Sequence, residues 1–244
     1  MIDKLFEKFK NRECKAKDIF DIREIPKNIA YEFIRKYHYL GDAKFFSMYS
    51  FGLFIKSSDV IVGCATYSSV QGVHTLKGWF NIENNNSKDV VELSRLCVLP
   101  ELNGTNTSSF LLGNSIKMLK KYNVKAVITL ADATRHIGSI YQVCNFTYYG
   151  MCDPKSDFYW VEDSRYPYRS TRYKIKDLQG VWIPKTRKHR YALILDKSLK
   201  CCYEPQEKPS DKLNTVGYSC CDDTFVVYDN RYHKYYTCPK CTKK

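Results

Sequence analysis

The strongest signal along the chain is a change of hydrophobic period near its middle. Residues 110–123, FLLGNSIKMLKKYN, place Leu111, Leu112, Ser115, Ile116 and Leu119 on one helical face. Residues 124–132, VKAVITLAD, follow as a continuous apolar run, the pattern of a strand covered on both faces. Upstream, PKNIAYEFIRKY (26–37) predicts a helix opened by Pro26, with Ile29, Phe33 and Ile34 at helical spacing. Gly41 supplies its stop. SMYSFGLFI (47–55) and VIVGCATYSS (60–69) read as strands joined by a turn at KSSD, a β-hairpin pattern. VVELSRLCVL (90–99) is a further strand ended by Pro100, and strict alternation puts Arg95 on the face of Leu93. After the apolar run come a short helix (138–144), a strand (146–150) and a last strand, HRYALIL (189–195).

The order from Glu92 to Gly150 is therefore strand, polar loop, helix, strand, helix, strand. It predicts an α/β (α+β) fold. The loop ELNGTNTSS (101–109) is rich in small polar residues, and a Ser or Thr there is placed to cap the helix that follows. The Pro-containing polar stretch EPQEKPSDK (204–212) reads as a linker. Two domains are expected, 1–195 and a Cys-rich tail, 196–244.

Composition changes this picture in two places. Six of the 11 cysteines fall in the last 44 residues, and CPKC has the Cys-x-x-Cys spacing of a zinc knuckle. The expected structural Zn²⁺ set is Cys220, Cys238 and Cys241, with Cys221 or Cys201 as the fourth ligand and His233 in reserve. Between the two halves of this set, VVYDNRYHKYY (226–236) predicts a hairpin with a basic, aromatic face. The net charge is +13, and Arg165–Arg190 carries +8 of it. In that segment Arg165, Arg169, Arg172, Lys174, Lys185, Arg187, Lys188 and Arg190 alternate with Tyr166, Tyr168, Tyr173 and Trp182. Cations neutralise phosphates and rings stack on bases, so the segment predicts a contact with double-stranded DNA. No run approaches the roughly 18–20 apolar residues of a membrane span. A soluble, cytoplasmic protein is expected.

Candidate chemistry gathers around the apolar strand. Asp132 stands at its C-terminal end, where α/β folds place ligand contacts. Tyr141 follows on the short helix, and a phenol suits proton donation to a poor leaving group. Arg95 is a candidate contact to an anionic donor or to DNA phosphate. His38, with Tyr39 beside it, is a candidate base or metal ligand; His136 is a weaker one. In the polar loop, Asn103, Gly104, Thr105, Thr107, Ser108 and Ser109 offer hydroxyl and N–H groups at a helix N-terminus, a setting that favours phosphate. Neither a Walker GK[ST] nor a G-x-G-x-x-G fingerprint is present.

The element order resembles the GNAT acetyltransferase fold, which implies a mixed, mostly antiparallel central sheet flanked by helices, and IYQVCNF (140–146) resembles the helix end on which that family carries its general-acid tyrosine. A narrower resemblance rests on YHYLG (37–41), ELSRL (92–96), LAD (130–132), HIGSIYQVCNFTYYG (136–150) and KHRYALI (188–194). Together these resemble the phage Mom family, GNAT-related enzymes that convert adenine in duplex DNA to N6-(carbamoylmethyl)adenine and so protect phage DNA from restriction. The resemblance implies a transferase acting in a phage-infected or bacterial cell, with Tyr141, Asp132, Arg95, His38 and Tyr39 in its catalytic centre. The GNAT loop pattern Q/R-x-x-G-x-G/A is replaced by ELNGTNTSS, so the donor is acyl-CoA or another molecule. Two other readings stay open: an acyl-CoA N-acetyltransferase acting on a protein or small amine, and a non-catalytic DNA-binding module.

Overall fold

A computed structural model describes residues 2–41, 45–70, 72, 74–83, 88–133, 135–153, 156–160, 163–167, 180–184, 187–210, 215–220 and 223–228. The chain divides into two compact units. The first comprises residues 1–129, 139–149 and 191–206; the second comprises 130–138, 150–190 and 207–244. The expected separation at residue 195 does not coincide with either limit. Residues 196–206 belong to the first unit because they pack there: Cys202 N–H donates to the Trp79 carbonyl, and the Tyr203 ring meets Trp79 edge-on at 5.2 Å.

The elements in chain order begin with α1 (Ile2–Lys10), α2 (Ala16–Ile19), β1 (Phe20–Glu24) and α3 (Lys27–Tyr37). Next are β2 (Tyr49–Ile55), β3 (Ile61–Ser69), α4 (Thr75–Phe80), β4 (Val90–Val98), α5 (Thr107–Leu119), β5 (Ala126–Asp132), α6 (Ser139–Val143) and β6 (Thr147–Met151). In the second unit, β7 (Ser156–Trp160), β8 (Asp163–Pro167) and β9 (Gly180–Pro184) form a three-stranded sheet. β10 (Lys188–Ile194) returns to the large sheet, whose order is β1-β2-β3-β4-β5-β10-β6. β1 through β4 pair antiparallel in sequence, and β4 pairs parallel with β5. The expected mixed sheet is thus present. A final hairpin, β11 (Thr215–Cys220) with β12 (Asp223–Tyr228), precedes most of the stretch where a hairpin was expected, 226–236.

Helices α3 and α5 cover opposite faces of the sheet. Gly63 of β3 faces α5, where a Cβ would come within 3.1 Å of Leu111. Its neighbour Cys64 packs with Ala30, Phe33 and Ile34 of α3, as period-two alternation requires. The five residues expected on the buried face of α5 are all buried, joined by Thr107. Tyr67 ties this face to the sheet: it is fully buried, and its hydroxyl meets Ser115 Oγ at 2.6 Å.

Candidate active site

Pairing between β4 and β5 stops after Glu92 and Ile128, next to an irregularity in β4. Thr66 is opposite Arg95 but Tyr67 is opposite Leu93, so Ser94 is an extra residue, a β-bulge. The bulge reverses the alternation beyond it. Leu93 shares the face of Tyr67, toward α5, whereas Arg95 lies on the other face with Cys97. The expectation that Arg95 shares the face of Leu93 is corrected by that one extra residue. Ser94 itself is held by Thr66, with the two hydroxyls 3.0 Å apart and Ser94 Oγ donating to the Thr66 carbonyl.

The β4–β5 ladder covers Val90–Glu92 against Ala126–Ile128. One residue further on, a side chain takes over. Thr129 Oγ1 donates to the Leu93 carbonyl at 3.4 Å, and the same hydroxyl is hydrogen-bonded to Tyr141. Tyr141 is 9% exposed and packs its ring against Phe146 and Tyr191 at 5.7 and 5.4 Å. Burial raises its pKa above the usual phenol value and outweighs the Thr129 hydrogen bond, which lowers it; Tyr39 and Tyr191 add smaller upward contributions. Tyr141 is therefore a neutral phenol at physiological pH, able to give a proton.

On the other face, the turn after α3 brings His38 and Tyr39 toward Arg95. The His38 and Tyr39 rings stack at 4.4 Å. Desolvation, then the charge of Arg95, lowers the His38 pKa to about 4. His38 Nδ1 accepts the Leu40 N–H at 3.1 Å. That assignment leaves the proton of the neutral ring on Nε2, so His38 is set as a hydrogen-bond donor rather than as the base anticipated from sequence. Arg95 is half-buried, with Cζ 5.3 Å from the Phe45 ring centroid and Nη1 donating to the Ser94 carbonyl at 2.7 Å. Its pKa is lowered by desolvation and partly restored by Tyr39 and Glu92. Arg95 Nε has no hydrogen-bond partner among the described residues. Tyr39 stays 57% exposed, so a ring that interacts with this cation faces solvent; Phe46, whose carbonyl accepts from Ser94 Oγ at 3.4 Å, is 68% exposed. Tyr141, Tyr39, His38 and Arg95 thus form one electrostatically connected group. Phe45 belongs with them through its ring, and Phe46 lies alongside through its carbonyl. Sequence reading missed both, although a Phe-Phe pair in a polar turn was a visible signal.

Helix α6 has a second role. While Tyr141 points into the packed interior, Ser139, Ile140 and Val143 line a cleft of about 860 Å³. Its other walls are Gly104, Thr105, Asn106, Ser108 and Ser109 at the start of α5, and Phe9, Lys10, Arg12, Cys14 and Lys15 from the segment ahead of β1. The helix starts at Thr107, earlier than the periodicity predicts, so Ser108 and Ser109 sit in its first turn. Its N-cap is Asn106, which makes no side-chain capping bond. Of the expected donor contacts, Gly104, Thr105, Ser108 and Ser109 line the cleft, and Asn103 does not. Thr107 is fully buried with its hydroxyl 2.7 Å from that of Thr105. It braces the loop and is closed to a ligand. The cations at 10, 12 and 15 were not anticipated.

In the second unit, Asp132 pairs with Arg135 at 3.7 Å, and its carbonyl accepts the N–H groups of Arg135 and His136. His189 is 2% exposed, and desolvation, followed by the charges of His136 and Arg187, lowers its pKa to about 4. Two of the expected DNA contacts are engaged with backbone: Arg187 Nε donates to the Cys152 carbonyl and Arg190 Nη2 to the Met151 carbonyl, both at 2.8 Å. Lys188 is exposed. Arg165 and Tyr166 lie on β8, described for its backbone, while Arg169, Arg172, Lys174 and Lys185 lie outside the described residues. Of the expected zinc ligands, Cys220 ends β11 and Cys221, Cys238 and Cys241 lie outside the described residues. Among the described residues no three His, Cys, Asp or Glu side chains are grouped to hold a metal, and no helix is long and apolar enough to cross a membrane.

The model of the Mom protein family matches residues 19–212. No curated protein matches the chain. Among solved structures, it is similar to the ribosomal-protein-S18-alanine N-acetyltransferase from Escherichia coli, at 13% identity and a TM-score of 0.43 over 73% of this chain and 95% of that one. It is also similar to a GNAT family acetyltransferase from Elizabethkingia anophelis with acetyl-CoA bound, at 14% identity and a TM-score of 0.46 over 73% of this chain and 99% of that one.

Proposed function

The chain belongs to the Mom protein family, and from that premise we propose that it is a transferase that modifies adenine in duplex DNA, forming N6-(carbamoylmethyl)adenine and thereby shielding phage DNA from restriction. The observation that carries this reading is the placement of Tyr141. It is a neutral, buried phenol on a helix whose other side lines an 860 Å³ cleft. A donor in the cleft and an acceptor where the β4–β5 pairing stops would then be served by one five-residue helix.

Each role follows from the local chemistry. Adenine N6 is hydrogen-bonded inside a duplex, so the base must leave the stack before it reacts. The exposed ring of Tyr39 near Arg95 suits such a base, since an aromatic face stacks on any base and a cation attracts the adjoining phosphate. N6 forms a new bond to the donor's methylene carbon as that carbon's bond to the departing group breaks, and N6 loses a proton; Asp132 is the carboxylate we assign to hydrogen-bond or receive it. The departing group of the donor takes a proton from Tyr141. Neutral His38 donates from Nε2 and fixes an acceptor atom near Arg95. Residues 104–109 hold the donor, acyl-CoA or another molecule. The basic segment Arg165–Arg190 holds the DNA backbone. The CPKC tail binds a structural zinc ion.

The test is nucleoside mass spectrometry on plasmid DNA from cells expressing the protein or its Tyr141→Phe variant. A heavier deoxyadenosine that is lost in the variant is the expected result, and its mass identifies the added group. Unmodified DNA from well-expressed, folded protein overturns the reading.

A further inference from the structure

We propose that Phe46 is a wedge that enters the DNA stack and fills the place of the adenine that leaves it. The inference rests on the DNA-modifying reading and deepens it by naming the side chain that opens the duplex. Seven large hydrophobic side chains are exposed among the described residues, and four of them, Tyr39, Leu40, Phe46 and Met48, fall within residues 39–48. Single apolar side chains scattered over a surface are ordinary, whereas a cluster of them marks a contact. Phe46 is the most exposed of the four. It also adjoins the site: its carbonyl accepts from Ser94 Oγ, and the Ser94 carbonyl accepts from Arg95 Nη1.

The chain carries this ring on an anchored backbone. One residue earlier, Phe45 is buried and stacks on Tyr31 of α3 at 5.6 Å. One residue later, Ser47 Oγ donates to the Tyr49 carbonyl at 2.9 Å and lies 2.7 Å from Ser50 Oγ. Met48 N–H then donates to the Tyr67 carbonyl at 2.7 Å. A backbone fixed in advance lowers the entropy lost when the ring is inserted. The surrounding charge selects DNA as the occupant. Arg35 and Lys36 are exposed in the last turn of α3, and the stretch 33–48 carries three cations, Arg35, Lys36 and Lys44, against one carboxylate, Asp42. Cations beside an apolar tip match a duplex, which presents phosphates outside and apolar base faces within. Proteins that unstack a base step insert side chains of this kind, Phe, Leu or Met, between the bases. Once an adenine has swung out, a phenyl ring in its place recovers part of the stacking that was lost.

The experiment relaxes a closed circular plasmid with a topoisomerase in the presence of the full chain, removes the protein and reads the change in linking number. Affinity for the same DNA is measured beside it by gel shift. Insertion between base steps unwinds the duplex, so wild type is expected to leave negative supercoils. Phe46→Ala should bind DNA within about threefold of wild type and melt at the same temperature, because the ring is exposed. It should lose the unwinding and yield at least about 10-fold less modified deoxyadenosine in cells. Phe46→Leu keeps an apolar tip and should retain both activities. Val60→Ala, which trims an exposed apolar group between β2 and β3, should change neither. Phe46→Ala that unwinds plasmid as wild type does overturns the inference. So does wild type that binds DNA and leaves the linking number unchanged, a result that assigns the patch to a protein partner. Modified adenine from wild type and Phe46→Ala alike defeats the wedge and leaves the DNA-modifying reading standing. Unwinding that depends on Phe46, without any modified adenine from wild type, does the reverse.

Discussion

Replacing Tyr141 with Phe removes one oxygen atom, and its two consequences differ enough in size to be told apart. The hydroxyl is buried and hydrogen-bonded to Thr129, whose own hydroxyl keeps the Leu93 carbonyl as a partner at 3.4 Å. The substitution therefore strands no buried donor, and the ring contacts with Phe146 and Tyr191 remain. The cost to folding is about 1 kcal/mol, the net worth of one hydrogen bond. Against a typical stability of about 5–15 kcal/mol, the folded population is almost untouched. A positioned proton donor, by contrast, contributes roughly 10²- to 10⁴-fold in rate. The assay is the fraction of modified deoxyadenosine per unit of protein over time, read beside a thermal melt. Thr129→Val supplies the intermediate case. It keeps the phenol and removes the hydroxyl that orients it, so a loss of about 10-fold is expected, with a melt similar to that of Tyr141→Phe. A Tyr141→Phe enzyme within about threefold of wild-type rate refutes the proton-donor role, whatever its melting temperature.

Three further outcomes are expected. His38 and His189 both have folded pKa values of about 4 against 6.5 unfolded; the unfolded chain thus binds more protons below pH 6.5, and stability should fall as pH drops from 6.5 to 4, by about 1–3 kcal/mol per histidine. Denaturant midpoints across that range measure it, and a His38→Gln variant should show the shallower slope. Lys188→Ala should weaken DNA binding and reduce the slope of log K against log salt by about 1; Arg190→Ala, which strips a donor from the Met151 carbonyl, should instead lower the melting temperature. Purified protein should carry about one zinc ion per chain by elemental analysis, with Cys238→Ser reducing that content.

How much of this was legible beforehand can be argued element by element. The buried face of α5 was read residue for residue, because five apolar or small positions repeat at 3.6 and nothing competes with that pattern. The start of the same helix was placed three residues late. Thr107, Ser108 and Ser109 are indifferent helix formers that look like loop, and tertiary packing of Thr107 decides the matter. Strand β1 was not seen at all. It is five residues at the edge of the sheet, and its charged positions serve the surface, with Arg23 paired to Asp21 and Asp59 at 2.7 and 2.9 Å. Helix α4 was hidden by its brevity and by Gly78, whose missing Cβ leaves room for the Tyr203 hydroxyl at 3.3 Å. A neighbour 125 positions away sets that residue, and no local window contains it.

The candidate residues could be named by type, but their arrangement could not be read from the chain. Tyr141, Tyr39, His38 and Arg95 were named from the chain and are assembled by the fold. The cations of the cleft were not, because Lys10, Arg12 and Lys15 look like an ordinary solvated helix end until the start of α5 is placed opposite them.

The extra residue in β4 has a consequence for inheritance. Loss of Ser94 would shorten the strand by one position and leave Leu93 opposite Tyr67 and Arg95 opposite Thr66, each on its present face. What would go is the carbonyl that accepts Arg95 Nη1 and the hydroxyl that meets Thr66. A lineage can therefore drop this codon and keep every reactive group on its side of the sheet. The residue is retained, where it is retained, for the anchor it gives one guanidinium.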